Sequence, residues 1–203
     1  TAVFSKTPTD EEIFKVHFFE EPLVPIDENV NEAENRALVL ALSAYSQRTS
    51  EDDFTSLLSF LNKYPDSRWN GSLLANLGIV YRRTGYYSKA MEVWEVSWNL
   101  LREQSHRPAK LLADKVVSEL LMINAWVGRK EKVDSLLAEI SDRIIEGPAT
   151  ERILLMKRSS WLMKNRPEIS FMCGPYALNK IFAATNKKKK LSDKLMEVQS
   201  TSE

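Results

Sequence analysis

The window from Leu74 to Trp98 constrains this chain more than any other stretch. Leu74, Leu77, Gly78 and Tyr81 stand at i, i+3, i+4 and i+7 and so form one stripe of an α-helix. Gly85 then offers a stop, and Ala90 and Trp94 fall one turn apart on a second helix. Each residue type has a packing reason. Gly78 carries no side chain, so a second helix can approach closely there. Tyr81 and Trp94 fill the angle between two short antiparallel helices, and Ala90 lets the second helix settle against the first. The expectation is a helical hairpin held by a small-to-large contact.

Leu74-x2-Leu77-Gly78-x2-Tyr81, followed by Gly85 and by Ala90-x3-Trp94, resembles the tetratricopeptide (TPR) repeat. The resemblance implies an all-α solenoid of antiparallel helix pairs, a fold that presents surfaces to partner proteins and seldom carries chemistry. A shift of 34 residues sets Ser56, Phe60 and Tyr64 on Ala90, Trp94 and Trp98, and Leu40 and Ala44 on Leu74 and Gly78. A shift of 43 sets Val117, Leu120, Gly128, Val133 and Leu137 on Leu74, Leu77, Gly85, Ala90 and Trp94. The longer period implies lengthened helices around a turn at Arg107-Pro108. The repeat domain therefore spans 31–165. Leu38, Leu42 and Tyr45 line its first helix, and Phe54, Leu57, Leu58 and Leu61 a second helix that Ser50 caps. A last helix capped by Thr150 carries Ile153, Leu154, Met156, Trp161 and Leu162 to Asn165.

Residues 1–30 read as an extended N-terminal arm. Phe18 to Ile26 holds two prolines, which no helix interior accepts, and its apolar side chains are expected along the first helices of the repeats.

Composition removes whole classes of function. Lys plus Arg and Asp plus Glu are 28 each, so no bulk attraction to nucleic acid or anionic membrane is implied. Lys187 to Lys190 reads as a solvated linker, because no aromatic residues interleave it. One cysteine excludes an internal disulfide and a zinc cluster, no metal or cofactor is expected, and no apolar run has the length of a membrane span.

That cysteine stands in Cys173-Gly174-Pro175-Tyr176-Ala177-Leu178, which resembles the nucleophile segment of papain-like cysteine peptidases of the double-glycine (C39) type. The resemblance implies Cys173 as nucleophile, at a helix start where exposed amides favour a thiolate. Such a thiol needs a base, and the two histidines, His17 and His106, both precede it, whereas the family places its histidine downstream. The chain as it stands is expected to be silent as an enzyme. Residues 166–203 read as the start of a peptidase-like domain or as a cap and tail, and the chain as the N-terminal part of a longer protein.

The function expected is therefore capture of a protein or peptide, conceivably the following domain of the same protein. First helices line the concave face of such repeats, which nominates Asn76, Ile79, Arg82 and Arg83 in the central unit and Met122 and Trp126 in the next. Paired arginines beside an aromatic suit an acidic or aromatic segment. A carboxylate clamp for chaperone tails fits less well, since Asn76 and Lys115 are joined by Glu119 where a cation would be needed. The rival reading is a fragment of a cysteine peptidase, and a third makes the repeats a rigid platform for the next domain.

Overall fold

The computed structural model describes residues 4–166 and Ile181. The described residues are all-helical: α1 (Asp10–Lys15), α2 (Glu32–Ser46), α3 (Thr55–Lys63), α4 (Asn70–Arg83), α5 (Tyr87–Leu101), α6 (Arg107–Trp126), α7 (Lys130–Glu139) and α8 (Ala149–Asn165). Most helices that follow one another in sequence also pack together, α3 and α4 being the exception. α2 pairs with α3, α4 with α5, α5 with α6, and α6 with both α7 and α8, while α4 also touches α6.

The α4–α5 hairpin has the small-to-large contact that its sequence asks for. Trp94 is fully buried with its ring against Gly78, and its indole N–H donates to the Ala75 carbonyl at 3.0 Å. One turn on, Ser97 donates to the Gly71 carbonyl at 2.7 Å. Both hairpin turns end their first helix in the same way. Gly85 takes φ +86°, with Tyr86 N–H donating to the Tyr81 carbonyl at 2.8 Å. Forty-three residues on, Gly128 takes φ +73°, with Arg129 N–H donating to the Asn124 carbonyl at 2.9 Å. A left-handed residue followed by a bond five residues back is the Schellman end of a helix, and glycine adopts it without strain.

Several local expectations are corrected. Residues 1–30 are not extended throughout, since α1 lies within them, capped reciprocally by Thr9 and Glu12. Ser50 does not cap α3, which starts at Thr55 with Asp53 accepting its backbone N–H at 3.0 Å. Ser50 belongs to the preceding turn, where its carbonyl accepts from Asp53. On α3 the buried ring is Phe60, while Leu58 is exposed. Leu40 is 66% exposed, so the 34-residue register fails on α2, whose core residues are Leu38, Leu42 and Tyr45. Thr150 lies inside α8 and its hydroxyl donates back to the Ile145 carbonyl. Pro108 stands in the first turn of α6 rather than in the loop, which suits a residue with no N–H to offer. The lengthening expected near it is real, for α6 has 20 residues against 14 in α4. On α8, Leu154 and Trp161 are exposed, and Ala149, Ile153 and Met163 are the buried apolar residues.

Candidate functional site

The site is built where residues 16–27 leave α1 and return along α4. Two anchors fix this strap. At its start, Ile13 is fully buried and Asp10 accepts from buried Arg68 and, at 2.8 Å, from Asn35. Asn35 in turn accepts from the Trp69 indole at 2.9 Å. Burial pushes the Asp10 carboxyl up, but the hydrogen bonds from Arg68 and Asn35 outweigh it and hold it below its ordinary value. At its end, Leu23 and Val24 are buried, and Ile26 N–H donates to the Arg68 carbonyl at 3.0 Å. The apolar residues of the strap thus pack along the helices, as expected from its prolines and hydrophobic run.

Between the anchors the grip is polar. Asn76, 1% exposed in the middle of α4, holds the main chain of one residue with both ends of its amide. Glu21 N–H donates to its Oδ1 at 3.0 Å, and its Nδ2 donates to the Glu21 carbonyl at 3.0 Å. Glu20 pairs with Arg83 at the end of α4 and with Lys115 of α6 at 3.3 Å. Lys115 also reaches Glu21 at 3.6 Å and Glu119 at 3.5 Å. Glu119 is fully buried and faces Arg82 at 3.4 Å and Arg152 of α8 at 2.5 Å. Four cations (Arg82, Arg83, Lys115, Arg152) therefore meet three carboxylates across one band.

The two strap carboxylates titrate in opposite senses. Burial raises Glu20, yet the hydrogen bond and charge of Lys115, with Arg83 and Arg82, pull it below its ordinary value of 4.5. Glu21 is more deeply buried, and that burial lifts it above 4.5; Lys115 opposes, while Glu20 and Glu119 add to the rise.

A ladder of rings ties the strap tip to the helices. Phe19 meets Tyr45 at 5.6 Å between centroids, Tyr45 meets Phe54 at 6.3 Å, and Phe54 meets Tyr81 edge-on at 4.8 Å. Beneath the tip lies a cavity of about 440 Å³ between the ends of α2 and α4, lined among others by Phe18, Phe19, Tyr45, Arg48, Ile79 and Arg83.

Asn76, Ile79 and Arg83 thus come together at the strap and its cavity. Arg82 turns instead toward buried Glu119. Met122 and Trp126 stand farther along α6, where the strap does not reach them through any hydrogen bond or ion pair named above; Met122 is half-buried and Trp126 is 61% exposed. The face is therefore not an open, preformed groove, because residues 18–26 already lie along α4. On α8, Leu155 is 51% exposed one turn beyond Arg152, the partner of Glu119. Sequence reasoning missed Glu20, Glu21, Tyr45 and Arg152 as members of this site. The adjacent carboxylates in an otherwise apolar arm were the available signal.

Cys173 lies outside the described residues. His106 precedes the first turn of α6, and His17 contacts the Lys15 carbonyl at 2.9 Å. Among the described residues no His, Cys, Asp and Glu gather into a metal-binding group, and no helix is long and apolar enough to cross a membrane. Searches against protein-family profiles, curated proteins and solved structures found no match.

Proposed function

We propose that this chain is a tetratricopeptide-type helical-repeat scaffold that holds an extended protein segment across the face made by α4 and α6. One observation carries the reading. Asn76 grips both polar groups of a single main-chain residue, a contact that any extended segment satisfies whatever its side chains. Arg83 and Lys115 then read the side chains beside it. The matched helix ends at Gly85 and Gly128 and the Gly78–Trp94 contact support a repeat architecture. On this reading residues 31–165 bind and orient, and carry out no chemistry.

The test is selection of peptides from a displayed 12-residue library on the purified chain and on Phe19→Ala/Glu20→Gln, which loosens the strap tip. Enriched sequences should lose binding when Arg83→Glu or Trp126→Ala is introduced into a chain whose helical signal is unchanged. No enrichment on either chain, or binding indifferent to both substitutions, would sink the scaffold reading.

A further inference from the structure

Resting on that reading, we infer that the strap tip Phe18–Glu21 is an exchangeable occupant, and that its replacement is a partner's extended segment in which an aromatic residue directly precedes a carboxylate. The argument begins with where the strap is fastened. Its apolar anchors, Ile13 on one side and Leu23 with Val24 on the other, are buried in the core. The tip between them is held by a ring contact to Tyr45, by ion pairs to Arg83 and Lys115, and by the two bonds to Asn76. Phe18 and Phe19 are only half-buried and Glu20 is exposed. The tip packs against the edge of the core at Tyr45 and Asn76, whereas Ile13, Leu23 and Val24 are buried within it, so the tip can lift while both anchors stay docked.

Charge then decides what can take its place. With Glu20 and Glu21 withdrawn, Arg82, Arg83, Lys115 and Arg152 face Glu119 alone. With the tip seated the Arg82 and Lys115 side chains are 24% and 16% exposed, and lifting the tip leaves the band with a net cationic excess. A neutral segment would satisfy Asn76 but leave that excess in place. A segment with a carboxylate at the position of Glu20 restores the pairs to Arg83 and Lys115. An aromatic ring just before it refills the contact with Tyr45 and roofs the cavity of about 440 Å³. The tip is thus a template for its competitor.

The experiment uses a fluorescent peptide of the sequence of residues 17–22, titrated by anisotropy against the full chain and against Phe19→Ala/Glu20→Gln. Phe19→Ala alone is a second releasing variant that changes no charge. Binding to the released chains should be at least about ten-fold tighter than to the unaltered chain, which corresponds to roughly 1.4 kcal/mol. It should weaken as salt rises. A peptide with Gln at both glutamate positions should lose about ten-fold or more on the released chains. If the Gln peptide binds as well as the acidic one, the groove reading stands and the acidic partner is overturned. Equal binding to unaltered and released chains overturns exchange with the tip. If neither peptide binds a released chain that keeps its helical signal, the groove reading itself fails. An unaltered chain that sediments as a dimer which the acidic peptide does not dissociate assigns the site to the strap of a second copy, and so overturns the partner.

Discussion

Substituting Gly78 by alanine tests the packing logic of the central hairpin most directly. A Cβ built on Gly78 would lie 2.2 Å from the Trp94 indole nitrogen and 2.5 Å and 2.6 Å from Cδ1 and Cε2. To restore ordinary contact near 3.4 Å the ring must retreat by about 1.2 Å, yet Trp94 is fully buried and its N–H is tied to the Ala75 carbonyl. Overpacking of this kind costs about 1–3 kcal/mol. Leaving the indole N–H and a carbonyl unsatisfied adds about 1–3 kcal/mol. Alanine gains back about 1 kcal/mol over glycine in a helix interior. The balance is a destabilisation of about 3 kcal/mol, or a fall of roughly 6–12 °C in Tm for a domain of this size. Thermal and urea unfolding followed by circular dichroism measures it. Gly78→Ala/Trp94→Leu should recover part of the loss, giving a coupling of about 1 kcal/mol or more. Gly85→Ala is the control: nothing lies within 4 Å of its Cβ, so only the left-handed backbone at φ +86° opposes it, at about 1–2 kcal/mol. An unchanged or raised Tm for Gly78→Ala would refute the close-approach argument.

The strap and its anchors give four further expectations. Asp10→Ala leaves Arg68, 2% exposed, without its carboxylate partner, and should destabilise by about 3 kcal/mol in urea melts, whereas Glu11→Ala on the exposed side of α1 should change little. Glu20 titrates below its ordinary 4.5 in the folded chain, so its stabilisation is present above the unfolded value and fades as pH falls through the folded one; Glu20→Gln should therefore lower Tm at pH 7 and converge with the unaltered chain in acid. Glu21 has the opposite sign, because its raised value favours the neutral acid and its contribution is lost as pH rises; Glu21→Gln should leave Tm at pH 7 unchanged or higher, and a fall equal to that of Glu20→Gln would contradict the assignment. Asn76→Leu should speed hydrogen exchange of the Glu21 amide by about ten-fold or more, because the main chain of the strap loses both partners, while exchange at Ile13 and Val24 stays slow.

What could be read from the chain follows the range of the contact that decides it. Gly78, Trp94 and the turn glycines Gly85 and Gly128 are fixed within one helical hairpin each, so spacing alone carries them. Met122 and Trp126 were placed on α6 from the same spacing, but spacing cannot tell which part of a face another segment covers. Glu20 and Lys115 lie 95 positions apart, and no periodicity connects them. Ser50 and Thr150 show a different limit. Each is a hydroxyl near a helix start and could cap it, but the start itself is set by packing, at Thr55 and Ala149. Leu40 misled because Ser56, Phe60 and Tyr64 fix a register on α3 that one changed loop length does not carry over to α2. The six-residue α1 was legible after all in Thr9-x-x-Glu12, a capping pair with hydrophobic Ile13 behind it.

The polar residues buried on α4 and α6 bear on why the strap exists. Asn70, Ser72 and Asn76 on α4, and Asp114, Ser118 and Glu119 on α6, are all at most 4% exposed. A face evolved only to form dry core would carry apolar side chains there, since each buried polar group costs stability unless paired. Several of these are met within their own helix, as when Ser72 donates to the Trp69 carbonyl and Ser118 to that of Lys115. Asp114 is met by Lys110, Arg143 and the Glu146 backbone. Asn76 is met partly by the Ser72 carbonyl and partly by the strap, and Lys115 links buried Glu119 to Glu21, with Glu119 Oε2 left without a hydrogen bond even when the strap is seated. A simple cap over the helices would need only the apolar anchors Ile13, Leu23 and Val24. The added main-chain grip and ion pairs go beyond what such a cap requires, and under the proposal above they are what an extended acidic chain would use in place of the tip.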